Sequence, residues 1–199
     1  MASWAPPLPV LASLLGVVAA LTGLHLWATH GTGALGDMAA RLAITPRTTL
    51  SLWWRHLWAG FFHKSWGHLV YNLVLFVVAF PLACRQMGPL ATLANAYWIG
   101  PFVVFTLHLL LVLPLAKVGV PYAVRALDYP LVGFSVMAYS IAGAAFVLAP
   151  AKVALGFGAA LVVYEVVLAV VNTGPFIFAY HLGGFALGYW VRGLWLRPG

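Results

Sequence analysis

Apolar residues run along this chain in long blocks, and polar residues gather in short stretches between them. The first block covers about 8–28, and after a long connection a second covers about 66–83, up to Arg85. Further blocks lie at about 90–113, 131–148, 153–171 and 175–194. A hydrocarbon core about 30 Å thick takes roughly 20 apolar residues of helix to cross, so each block predicts one spanning helix. The cuts carry turn chemistry: Pro114, Lys117, Pro121, Arg125, Asp128 and Pro130 precede the fourth block, and Asn172-Thr173-Gly174-Pro175 precedes the sixth. The expected fold class is an all-α polytopic membrane protein, a six-helix bundle forming one domain over 1–199, with no heptad array or fixed-period repeat.

The connection 31–65 has another pattern. Its stretch 52–62, LWWRHLWAGFF, mixes aromatic and basic residues densely. That mixture suits the headgroup zone, so a loop lodged at the membrane interface is expected between the first two spans.

Composition narrows the function classes. Hydrophobic residues make up 64% and charged residues 7%, whereas a soluble domain carries about a quarter charge. The net charge of +7 raises nucleic acid as a partner, but the ten Lys and Arg stand singly between apolar runs and form no basic stripe. They read as anchors to the lipid bilayer, and no nucleic acid is expected. Cys84 is the sole cysteine, so no intrachain disulfide forms. No Lys or Arg precedes Arg41, so a cleavable leader is not expected, and the short N-terminal stretch leaves no room for an accessory domain. Charge does not orient the chain. With the N-terminus inside, Arg85, Lys152, Arg192 and Arg197 fall inside, and Arg41, Arg47, Arg55, Lys64, Lys117 and Arg125 fall outside. Setting aside Arg55 and Lys64 as interfacial leaves the two sides equal.

Parity brings the polar residues together. The second, fourth and sixth spans enter from one side, with His68 and Asn72 near the start of the second, Ser135 near the start of the fourth and His181 shortly inside the sixth. Such groups are costly in hydrocarbon, so several at one depth are expected to face each other. His68 and Asn72, at i and i+4, share a helix face and offer two donors to one cavity, as an oxyanion requires. Ser135 sits in Gly133-Phe134-Ser135-Val136 with Tyr139 one turn on, and His181 precedes Gly184 and Gly188, small residues that permit close helix contact. A serine hydroxyl becomes a good nucleophile when a base within about 3 Å takes its proton, and histidine is the usual base.

Plain readings stand beside these. Ser135 can bond a carbonyl one turn back, and His181, or His68 with Asn72, can be interhelical hydrogen-bonding groups. His63 and His68 as metal ligands would lack the HExxH pattern and a nearby acid, since Asp37, Asp128 and Glu165 are the only acids, so no metal is expected. Glu165, in the middle of the fifth span, is costly there. It is expected to be protonated or bonded to a neighbour such as His108, and it keeps open a proton-coupled transporter.

Trp54-Arg55, His63-x4-His68-x3-Asn72, Gly88, Gly133-x-Ser135 with Tyr139, and His181-x2-Gly184-x3-Gly188 follow in order along the chain. In this the sequence resembles the rhomboid intramembrane serine proteases. The resemblance implies a six-helix core in which Ser135 attacks a peptide carbonyl and His181 is general base and then acid, with no third carboxylate. It implies that His68, Asn72 and the Ser135 amide hold the oxyanion, that Tyr139 orients His181, and that His63 and Arg55 tie the loop to the second span. It further implies single-pass membrane proteins as substrates, no metal or cofactor, both termini in the cytoplasm and a site toward the extracytoplasmic face of a prokaryotic plasma membrane. Val136 stands where many members have glycine, and Cys84-Arg85-Gln86-Met87-Gly88 stands where Glu-x3-Gly is common. A non-catalytic rhomboid-like scaffold that binds membrane clients is the alternative within the same resemblance.

Overall fold

The computed structural model describes residues 6–30, 41–146, 148–168 and 175–195. Helix α1 is Leu8–His30. Two short 3-10 turns, Pro46–Thr48 and Trp53–Arg55, lead into the single-turn α2, His56–Ala59. Helix α3, Trp66–Met87, starts where the Ser65 hydroxyl accepts the His68 N–H at 3.2 Å, which satisfies one of the free amides of a first turn. Helix α4, Pro89–Leu107, passes through a π turn at His108–Val112 into α5, Leu113–Lys117. Then come α6, Pro121–Ala126, α7, Ser135–Phe146, α8, Ala151–Leu168, and α9, Pro175–Trp195.

Among the described residues three stretches, Leu8–Thr29, Trp66–Met87 and Pro89–Lys117, are long and apolar enough to cross a membrane, as an α-helical membrane protein requires. The described residues hold no strand beyond one isolated antiparallel bridge, Ile44 with Leu131.

Element limits differ from the sequence expectation in three places. Helix α3 continues past 83 to Met87 because Arg85 and Gln86 are ordinary helix residues; Gly88, at φ 77°, stops it. The third block runs on to Lys117 through the π turn. The fourth block is not helical over 131–134: Leu131 pairs with Ile44, and Gly133 takes φ 123°, which a helix does not allow. Ser135 is the first residue of α7, at the helix start where the sequence places it. The stretch 31–40, with Asp37, and the expected turn at 172–174 lie outside the described residues.

Helix α7 is the centre of the bundle, with Ser135 through Ala145 all buried. It packs against α3, α4 and α9, and its contact with α9 is the most extensive of any helix pair. Glycines permit that approach. A Cβ on Gly184 would stand 2.7 Å from the Val136 carbonyl oxygen, and one on Gly188 would overlap the Ser140 carbonyl. On the other side, Leu69, Phe76 and Phe80 of α3 join Ala138, Ile141 and Ala142 of α7 in one apolar cluster.

The loop ahead of α3 leaves Trp53, Trp54 and Trp58 exposed, a placement that suits indole rings at a headgroup layer. Polar contacts hold it down. Arg47 pairs with Asp128 through two bonds of 2.7 and 3.0 Å at the surface. The Thr49 hydroxyl meets His108 Nδ1, and the Gly133 N–H donates to the Ala59 carbonyl at 2.9 Å. His63 Nε2 accepts the Phe134 N–H at 3.3 Å, joining the loop to the start of α7, and its ring meets that of His68 on α3, 5.3 Å away. Arg55 donates to the loop's own Ala43 carbonyl at 3.4 Å. Among the described residues His63 thus touches α3 through the His68 ring, and the Arg55 hydrogen bond stays within the loop. Burial holds His56 down to about 4 and His63 to about 3, the latter helped by neighbouring His68 and His25.

Candidate active site

A cavity of about 640 Å³ opens among α3, α4, α7, α8, α9 and the loop ahead of α3, and Ser135, His181, His68, Asn72 and Gly133 all line it. Four positions singled out for depth alone thus share one wall-to-wall space.

Each reaches it for a local reason. Ser135 begins α7, where first-turn N–H groups have no intrahelical acceptor and can face a ligand. Gly133, at φ 123°, is where a Cβ would strike the His68 imidazole, so glycine lets that ring lie against the backbone just ahead of the serine. Asn72 is fully buried, and neither its Oδ1 nor its Nδ2 has a partner among the described residues. An unpaired buried amide costs about 1–3 kcal/mol, which a ligand group can recover. Ser140, one turn below, donates to the Met137 carbonyl at 2.7 Å, as serines in apolar helices commonly do. Ser135, by contrast, lines the cavity.

His181 is held on two sides. The Tyr139 ring stacks on its imidazole at 4.4 Å and 8°. Its Nδ1 lies 2.7 Å from Glu165 Oε1, with both side chains buried. The Tyr139 hydroxyl donates to the same carboxylate oxygen, and the Tyr71 hydroxyl is 2.7 Å from that of Tyr139.

Glu165 is bonded to neighbours, as expected, and these contacts correct two particulars. Glu165 does not bond His108, whose Nδ1 meets Thr49 instead and whose ring packs on His56 and Tyr180. Nor is the histidine without a carboxylate. Glu165 and His181 stand equally far from Thr173, the middle of the expected turn between the last two spans. Equal depth is thus legible in the sequence, while the facing of the two side chains is not.

Compared with models of protein families, residues 51–198 match the one described as Rhomboid domain. Comparisons with curated proteins and with solved structures give no match.

Proposed function

The chain belongs to the rhomboid family, and from that premise we propose that it is an intramembrane serine endopeptidase acting on single-pass membrane proteins. The observation that supports this most is that Ser135 and His181, from different helices, line the same cavity as His68 and Asn72.

In this reading the Ser135 Oγ bonds to the substrate's carbonyl carbon while its proton passes to His181 Nε2, and the carbonyl π electrons move onto oxygen. His68, the Asn72 amide and the Ser135 N–H stabilise that oxyanion. When it collapses the C–N bond breaks, and the leaving amine takes the proton from His181. A water then repeats the sequence on the acyl-enzyme and restores the serine. No metal or cofactor takes part.

A substrate helix hides its carbonyls in i to i−4 bonds, so it must unwind before Oγ can reach one. Helix-destabilising and small residues near the scissile bond are therefore preferred. Val136, buried beside the serine where it lines the same cavity, narrows the approach further.

The proposal includes six spans, with both termini in the cytoplasm of a prokaryotic cell and the cavity open to the extracytoplasmic side of its plasma membrane. The test is incubation of purified protein with a generic single-pass substrate, beside its Ser135→Ala variant. Cleavage products are expected from the parent alone, with a serine-directed phosphonate adding its mass to the peptide that holds Ser135. Equal cleavage by both proteins overturns the assignment, and no cleavage by either points to a client-binding scaffold.

A further inference from the structure

We propose that Glu165 is a positioning residue completing a Ser135, His181, Glu165 relay: its carboxylate holds the Nδ1 proton of His181 and so keeps the Nε2 lone pair toward the cavity that Ser135 lines. This rests on the reading of Ser135 as the nucleophile.

A phenol has one hydrogen. Tyr139 gives its own to Glu165 Oε1, so at the 2.7 Å contact with Tyr71 it accepts. With Glu165 ionised, as proposed, Oε1 accepts a second bond, from the His181 Nδ1 2.7 Å away. With Nδ1 protonated, neutral imidazole carries its lone pair on Nε2, the form a general base requires.

The surroundings leave this task to Glu165. Around the imidazole stand Tyr139 from α7 and His68 from α3, neither of them an anion. Asp128, the other acid among the described residues, lies at the surface with Arg47. When Nε2 takes the serine proton, Glu165 is the counter-charge for the imidazolium, and it gains no proton itself. Helix clamping alone does not call for an acid, because a neutral side chain can hydrogen-bond Tyr139 without the cost of a carboxylate at this depth.

The test separates charge from shape. Glu165→Gln is nearly isosteric and keeps an acceptor for Tyr139, so its thermal unfolding should match the parent. Its kcat on a single-pass substrate should fall on the order of 10²-fold with KM within about twofold. Phosphonate labelling of Ser135 should slow in proportion, and Glu165→Asp should recover part of both. If the parent cleaves and labels at Ser135 while Glu165→Gln keeps full kcat, Glu165 is a structural clamp and the inference fails alone. A parent that neither cleaves nor labels overturns the reading beneath it as well. Should Glu165→Gln fail to fold, 15N spectra of the parent decide: a proton on His181 Nδ1 supports the relay, and one on Nε2 overturns it.

Discussion

Asn72 carries two buried polar atoms with no partner among the described residues, which is tolerable at a position that awaits a ligand oxygen. His68 and Asn72 were legible in the sequence because polar side chains stand out in an apolar helix, and their spacing puts them on one face. Asn72→Ala and His68→Ala should each unfold near the parent's temperature yet turn over about 10² to 10³ more slowly, since one oxyanion donor commonly contributes that much. Steady-state kinetics beside a melting curve checks both, and full activity in the double variant removes the pair from the site. Glu165 stood out equally, but its partner did not, because sequence spacing reports how deep a residue lies and not which neighbour its side chain meets.

Helices α7 and α9 approach closely enough for backbone to meet backbone at their glycines, so glycine matters there more than hydrophobicity. A Cβ at Gly188 would overlap the Ser140 carbonyl, and backbone cannot swing aside as a flexible side chain can. Gly188→Ala should therefore cost about 1–3 kcal/mol or more and displace His181 with its helix, lowering both melting temperature and turnover. Gly16→Ala on α1, where nothing stands within 4 Å, is the control and should leave both unchanged or slightly improved. The loop ahead of α3 makes a prediction of another kind. His56 and His63 are buried with their affinity for protons lowered to about 4 and about 3, while the unfolded chain takes protons near 6.5. Below about pH 6.5 the unfolded state binds more protons, so stability is fullest above that value and falls as the pH drops toward 4. Melting curves at several pH values should show this decline. His56→Phe, which keeps the ring packing on Phe105, should flatten it.

For the molecule as a whole, orientation is the open quantity, since the basic residues balance once the interfacial pair is set aside. Ser51, exposed on the loop before α3, and Lys152, exposed at the start of α8, should lie on opposite sides of the membrane. With Cys84 replaced by alanine, a cysteine at 51 should react with an impermeant thiol reagent on intact cells and a cysteine at 152 should not. The reverse pattern would place the cavity on the cytoplasmic side.

Hydropathy alone determined that this chain crosses a membrane in helices, that an aromatic and basic loop follows the first, and that a serine, two histidines and an asparagine lie at one depth. Those properties depend on how far along each segment a residue stands, which a one-dimensional pattern records. Tertiary structure decided what depends on direction around a helix axis. It kept 131–134 out of the helix, laid His68 against Gly133, and turned Glu165 to His181 and Tyr139 instead of His108. The sequence is silent on these because Ser135–Phe146 and Ala151–Leu168 are apolar on nearly every side, leaving no polar stripe to mark which face turns inward. Facing is then set by where glycines let backbones touch, and that depends on both partners at once.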